Sequence, residues 1–557
     1  MTHEHPPVAA TPPPPGYHVE EFTAEERAVL GRFFTNLDGP VFAVVNLPEV
    51  VKGALFARYS RSPKSVRRLF LDEFYAREES GIAALAERVG ADPETGRRRA
   101  EALYDRVFGE YGDDSVAQLG GAHVACEQAS NLLTKVLEWG RLAAYLEQST
   151  RYIVYDRTLG GRYRYHVPAE IAASPFADVY RETMDELFTT YSGLLDQVLA
   201  HYEERHPRPP DDPASVWRAT IRARACDDVR GLLPAATTSN VGIFASGQAY
   251  EMLLVRMRAH PLEEVRAYAD LLLAELRKVI PAFMRRVDRP DRGGAWSAYL
   301  AATARAVAAA AADLELPPPP ASPEVRLVEW DPEAETKIAA AALYAVTDLP
   351  DATLLDVVRR LPAARRADLL HAYVGTRGNR RHKPGRAMER CTYRFDILAD
   401  YGIFRDLQRH RMLTIEWQRL SPTHGYVTPP TIARLGLTDR WDAAMARAAE
   451  LYERVRRHLG ADVAQYVVPF AYRIRFFLHL DVREAFHLLE LRTQPGGHPG
   501  YRRVCQEMHR LIRDEAGHRL LADAMCFVDH RDHDLGRLEG ERRAAARRGA
   551  ADRVRHP

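Results

Sequence analysis

The chain has 557 residues, 46% of them hydrophobic, and its 77 Lys and Arg nearly cancel 76 Asp and Glu, for a formal net charge of +1. That length implies more than one domain, each able to bury a sizeable core. The charge balance leaves no global field to recruit nucleic acid or an anionic membrane, so neither is an expected partner and any anion site must be local. The five cysteines are scattered without a CxxC pair, which reads as reduced thiols in a cytoplasmic protein rather than a disulfide frame.

Residues 1–20 are Pro-rich and expected to be disordered. Their start, MTHEHPPVAATPPPPG, has neither the basic nor the apolar region of a signal peptide. VFAVVNLPEVVKGALFARYSR, residues 41–61, predicts a short strand, a turn containing Pro, and a helix. LEWGRLAAYLEQSTRY (137–152), DDVRGLLP (227–234) and FASGQAYEMLLVR (244–256) follow, and then a helical EVRAYADLLLAELRKVI (264–280). The most apolar tract, AYLAATARAVAAAAADLEL from Ala298, carries Arg305 and acidic residues, so it predicts an Ala-rich helix and not a membrane span. LPPPPASP (316–323) predicts a stiff, extended linker.

Beyond the linker the series repeats. VRLVEWDPEAETKIAAAALYA (325–345) has the pattern of 41–61, and LQRHRMLTIEWQRLS (407–421) has the texture of 137–152, with Arg-His-Arg in place of Trp-Gly-Arg. ADVAQYVVP (461–469) and LDVREAFHLLELR (480–492) then answer 227–234 and 244–256 in the same order. This is a tandem duplication with diverged copies. The predicted organisation is a first copy over 38–290, an Ala/Pro-rich linker over 291–324, a second copy over 325–530 and a solvated basic tail over 536–557. Each copy is expected to be helix-rich α+β.

Chemistry-bearing residues cluster in the second copy. On a helix, Arg409, His410 and Arg411 would diverge by about 100° each, which suits a ligand with anionic groups on several sides, such as a dinucleotide diphosphate; arginine forks hold phosphate bidentately. GNRRHKPGRAMERCTYRFDI (378–397) adds Arg380, Arg381, His382, Lys383, Arg386 and Glu389. Asp481, Arg483, His487 and Arg492 follow on LDVREAFHLLELR, where Arg483 and His487 are i,i+4 neighbours. Charged groups on so apolar a helix need partners, either a bound anion or an internal salt bridge with a residue such as Glu490. The first copy offers Glu147, Gln148, Ser149, Arg151 and Arg230, a set able to hold a phosphate and a hydrogen-bonding ring. No Walker A or GxGxxG motif is present. HRDHD (530–534) reads as a solvated cluster, DEAGH (514–518) lacks HExxH spacing, and no metal site is expected.

With these strings together, both halves resemble the flavin-dependent (alternative) thymidylate synthases. That family's signature is RHR, seven residues and then Ser, within RHR-x6-(E/Q)-x-S-x-R-Y. An A-R-x-x-L-P segment and an N-x-R-x-L-x-x-F-L-x-L-R helix follow. The resemblance covers about 41–285 and 325–530. It implies FAD as cofactor, NADPH and methylenetetrahydrofolate as cosubstrates, and methylation of dUMP to dTMP, at subunit junctions of a homotetramer.

The two copies depart from the signature in complementary ways. The second keeps Arg409, His410, Arg411, Glu389, Arg483 and Arg492, together with Arg405 and Gln408. It has Arg419 for the signature Ser, Gln465 for the Arg of A-R-x-x-L-P, and Asp481 for Asn. The first keeps Glu147, Gln148, Ser149, Arg151, Arg230, Arg141 and Arg256 but has Trp139-Gly140 for Arg-His. The resemblance therefore implies one live composite site per chain and one dead one, with two chains making a pseudo-tetramer. In it, Arg409, His410, Arg411, Glu389, Asp481, Arg483 and His487 would hold FAD. Glu147, Ser149, Arg151, Arg230, Asp406 and Arg492 would hold the nucleotide, with Ser149 and Arg492 the groups closest to the chemistry. The expected reaction needs no protein nucleophile. Asp406 stands where the family usually has Gln, and a carboxylate cannot donate as an amide does, so a related pyrimidine nucleotide remains open alongside dUMP. A degenerate flavin- or nucleotide-binding homologue is the alternative.

Overall fold

A computed structural model describes residues 14, 16–76, 120–210 and 212–543. Most of the Pro-rich tail and residues 544–557 of the basic tail lie outside the described residues. In the first copy, strand β1 (Val41–Val44) and helix α1 (Glu49–Tyr59) are followed by β2 (Gly121–Ser130), α2 (Asn131–Leu137) and β3 (Ala143–Glu147). Then come α3 (Ala177–Arg205), α4 (Ala214–Val229), β4 (Thr238–Ser246), α5 (Gly247–Arg258) and α6 (Glu263–Val279). The Ala-rich segment forms α7 (Gly293–Ala312), and among the described residues no helix is long and apolar enough to cross a membrane.

The second copy repeats the order: β5 (Val325–Trp330), α8 (Ala334–Tyr344), β6 (Thr392–Asp400), α9 (Tyr401–Leu407), β7 (Thr414–Trp417), α10 (Thr438–Leu459), β8 (Arg473–Asp481), α11 (Val482–Arg492) and α12 (Pro499–Asp514). Each copy builds one antiparallel four-stranded sheet, ordered β1-β2-β4-β3 and β5-β6-β8-β7. The repeat read in the sequence is thus a repeat of topology, within a helix-rich α+β protein.

Local chemistry explains the matching elements. β6 and β8 alternate strictly: Tyr393, Phe395, Ile397 and Ala399 face the core with Ile474, Phe476, Leu478 and Leu480. An antiparallel sheet with one covered face requires that period of two. The helix after each central strand begins on a side-chain cap. Ser130 accepts from the Leu133 amide, Asp400 from Ile403, Ser246 from Ala249 and Asp481 from Glu484.

The described residues gather into two compact units, and each is discontinuous in sequence. One comprises Met1–Ser192, Leu233–Pro318 and Ala446–Val468; the other comprises Gly193–Leu232, Pro319–Met445 and Pro469–Pro557. Each copy therefore lends a helical segment to the unit built mainly from the other. Arg230, a residue of the first copy, belongs to the second unit.

Candidate functional site

The Arg-His-Arg string does not lie on a helix. It forms the turn between α9 and β7, just as Trp139-Gly140-Arg141 forms the turn between α2 and β3. Its side chains diverge because the chain is turning: Arg409 and Arg411 are exposed while His410 is 4% exposed.

His410 is the buried anchor of a four-residue relay. Its Nδ1 lies 2.9 Å from Glu484 Oε1, and the Nε–H of Arg492 points at His410 Nε2 from 2.9 Å. A guanidinium can only donate, so Nε2 must accept, and the proton of a neutral imidazole sits on Nδ1 and is given to Glu484. His487 Nδ1 reaches the other oxygen of Glu484 at 3.1 Å. Burial, with Arg492 alongside, holds His410 down at about 4 despite the Glu484 hydrogen bond. Burial pushes the Glu484 carboxyl up, but the hydrogen bonds from His410 and His487 outweigh it and hold the group at about 2. One ring nitrogen of each histidine and a Glu484 oxygen lie within 4.8 Å of one another, a spacing a cation could use. The Arg492 guanidinium on the far side of His410 opposes one, and the hydrogen-bond relay accounts for the geometry.

Glu484 was not singled out from sequence. The available signal is its place three residues before His487 on α11, where the two share a helix face. Arg483 directs Nε to the Pro384 carbonyl at 3.0 Å and Nη1 to Glu389 at 3.3 Å, and Arg386 Nε reaches Glu389 at 2.9 Å. The helix's charged residues thus find internal carboxylates. Glu490, one candidate internal partner for them beside a bound anion, is instead clamped by Arg377, with both bonds at 2.6 Å and both side chains 2% exposed. Asp481 is committed to the helix cap, 2.8 Å from the Glu484 amide. Lys383, whose ammonium is pushed down by burial, lies near enough to Glu484 and Arg483 to feel both charges, and Arg409 and Arg411 are exposed on the turn that His410 anchors. This surface has the charge to face a diphosphate.

Two further residues of the expected set meet in the same unit. Arg230, at the end of α4, directs both Nη1 and Nη2 to Asp406 Oδ2 on α9, each at 3.3 Å, and both residues are buried. A first-copy arginine and a second-copy carboxylate are therefore direct partners. Glu147, Ser149 and Arg151 belong to the first unit. There the turn after β3 is docked on the end of α1: Gln148 Nε2 donates to the Ser62 carbonyl at 2.6 Å, and the Ser149 amide reaches Ser60 O at 3.3 Å. Glu147 and Arg151 are buried and Ser149 is half-buried.

The first-copy counterpart of the relay is filled differently. The Arg256 guanidinium sits 4.9 Å over the Trp139 ring. Tyr145 Oη donates to the Gly140 carbonyl at 3.2 Å, and a Cβ on Gly140 would meet that hydroxyl at 2.6 Å. A histidine could not take the place of Gly140 without moving Tyr145. The HRDHD cluster is spent on ion pairs: Arg205 and His206 both reach Asp534, at 3.0 and 3.2 Å, and His533 reaches Asp529 at 2.9 Å.

The comparisons agree with this doubled architecture. The family described as thymidylate synthase complementing protein matches the chain twice, over residues 66–282 and 326–516. The chain belongs to that family. It is also 40% identical to a UPF0159 protein of Chlamydia pneumoniae, over 94% of this chain and 98% of that one. A UPF0159 protein of Chlamydia muridarum is 40% identical over 94% and 99%, and one of Thermoplasma acidophilum is 30% identical over 89% and 99%. The tandem form is thus matched along nearly the whole length of these relatives.

Proposed function

We propose that this protein is an FAD-dependent, thymidylate synthase-like enzyme that reductively methylates dUMP or a related pyrimidine nucleotide, with NADPH and methylenetetrahydrofolate as cosubstrates. The observation that carries the reading is the His410–Glu484–His487–Arg492 relay beneath the exposed cations of the Arg409–Arg411 turn. A buried, fully hydrogen-bonded anchor holds the backbone of that turn, so only the arginine side chains have to be ordered when they meet a diphosphate. The residues present fit the flavin's anionic half. Arg409, Arg411 and Arg483 would hold it, with Glu389 orienting Arg483. Bound flavin supplies the redox chemistry of the transfer.

Arg492 would turn its remaining donors to the pyrimidine, where charge builds on the carbonyl oxygens as C5 becomes nucleophilic. Its Nε is already held by His410, which fixes the direction of the fork. Ser149, Glu147 and Arg151 would position the nucleotide, and Ser149 acts as a hydrogen-bonding group and not as a covalent one. The active assembly would be a homodimer with the character of a pseudo-tetramer.

One observation favours the degenerate, ligand-binding alternative. Asp406 neutralises Arg230, so a phosphate reaching Arg230 must displace or protonate a carboxylate. The deciding experiment is the absorption spectrum of the purified protein, before and after adding dUMP. A flavin band that shifts with dUMP, and is lost in Arg411→Ala, is expected; turnover then separates the enzyme from the binding protein. A chain that takes up no FAD, or an Arg411→Ala variant that retains flavin fully, sinks the assignment.

A further inference from the structure

A cavity of about 590 Å³ lies wholly within the second unit. Its walls include Arg224 and Gly231 from the first copy, and Arg434, Trp441, Phe470 and Gly500 from the second; six arginines and five aspartates line it in all, so cations are in slight excess. None of Arg409, His410, Arg411, Glu484, His487 or Arg492 lines it. Arg230 touches its edge, but both Nη atoms are held by Asp406.

The first unit shows why the space is open. Eight residues after Arg256 stands Glu264, and eight after Arg492 stands Gly500. Tyr466 follows Gln465 of the diverged A-R-x-x-L-P segment, and Gly231 follows Arg230 of the intact one. In the first unit Glu264 is 3% exposed and accepts from the Ser130 amide at 2.9 Å, the Ser130 hydroxyl at 2.6 Å and the Tyr466 hydroxyl at 2.7 Å. The second unit has two glycines at those positions. Trp441 leans toward one of them, so that a Cβ on Gly231 would meet its ring at 2.8 Å. A buried carboxylate and a phenol present in one unit are missing from the other.

Two N–H donors on the cavity wall are left over. Trp441 is fully buried, and its Nε1 has no acceptor; neither has the buried Nε of Arg224, whose Nη1 is engaged by Asp228 at 2.9 Å. Buried donors are rarely orphaned. One water could satisfy one of them, but the cavity far exceeds a single water's volume and falls in the range of small-molecule sites. Both orphans are donors, so the missing partner presents acceptors. Arg434 adds guanidinium donors at the mouth, with only Nη2 engaged, to Thr431 at 3.0 Å. The Phe470 ring and the prolines at 429, 430 and 499 offer apolar surface.

We propose that this cavity is a second ligand site, separate from the flavin residues and sharing only Arg230 with the nucleotide set, which takes a small phosphomonoester with an apolar body. Its phosphate oxygens accept from Trp441 Nε1, Arg224 and Arg434, and its body packs on Phe470.

Isothermal titration of the full-length protein with phenyl phosphate tests this, with benzoate as the competing acid. Phenyl phosphate is expected to bind more tightly than benzoate. Trp441→Phe, which keeps an aromatic ring and removes the donor, and Arg224→Gln are each expected to weaken it about tenfold, the worth of a hydrogen bond to a charged group. Arg411→Ala should leave the affinity unchanged. Should Trp441→Phe fail to fold, Arg434→Gln at the exposed mouth serves in its place. Absence of binding at millimolar phenyl phosphate, equal binding of benzoate, insensitivity to these substitutions, or loss of binding in Arg411→Ala overturns the proposal.

Discussion

At His410 a donor that cannot accept settles the protonation of its neighbour. Arg492 fixes the imidazole as the neutral Nδ1–H form, and Glu484 receives that proton's hydrogen bond. The pH consequence has a definite sign. His410 is held at about 4 against an ordinary value of 6.5, so between those values the unfolded chain binds more protons than the folded one and stability rises with pH. Glu484, held at about 2 against 4.5, acts in the same direction in the lower window. Stability is therefore expected to fall as pH drops below about 6.5. In denaturant titrations Glu484→Gln should be less stable than the parent near neutrality, and the gap should narrow toward pH 2, where the parent's carboxyl is itself protonated. A gap that does not change with pH contradicts the relay. Arg377 makes a second prediction. Its pair with Glu490 is 2% exposed on both sides and is sandwiched by Phe486 and Phe527 at 5.0 and 5.1 Å. Arg377→Ala leaves a buried carboxylate unpaired and should cost about 3–5 kcal/mol, read as a large drop in melting temperature.

The turns after α2 and α9 are equivalent in position and opposite in content. Each follows a short helix capped from the end of a central strand, so local sequence fixes where the turn falls and the side chains in it decide what it holds. The cap gives Asp481 a clear test. Its carboxylate already accepts the Glu484 amide, so Asp481→Ala should cost about 1 kcal/mol, while Asp481→Asn, which caps equally well, should stay within about 0.5 kcal/mol. Equal losses in both variants, by equilibrium unfolding, would show that the charge rather than the cap matters there. α11 is read in the sequence as a largely apolar helix; β6 and β8 are not read as strands, although the alternation over 392–400 and 473–481 carries them. The fate of the α11 charges was not legible. Glu490 was one sequence neighbour able to serve them, but it turns toward Arg377, more than a hundred residues away, and such a pairing has no local signature.

For the molecule as a whole, the central feature is that the two copies depart from the signature in complementary ways. The intact strings are divided: Ser149 and Arg151 survive only in the first copy, and the Arg-His-Arg turn only in the second. On the proposed function, this asymmetry predicts that Ser149→Ala weakens dUMP binding by about tenfold, whereas Arg419→Ser, which restores the signature serine beside the intact turn, leaves it unchanged. Spectroscopic titration of both variants checks this, and a gain of affinity in Arg419→Ser would mean that the second copy serves itself.

The sequence alone was enough for the duplication, the order of the repeated segments and the family, because hydrophobic period, turn chemistry and fixed spacings are local properties that survive divergence. Only the tertiary structure decided that Arg230 pairs with Asp406, that Glu484 joins His410 to His487, that the two units exchange helical segments, and that one of them encloses a cavity between Gly231 and Gly500. Each of these depends on which distant side chains share a low-dielectric interior, where a charge or donor must find a partner wherever the fold places one.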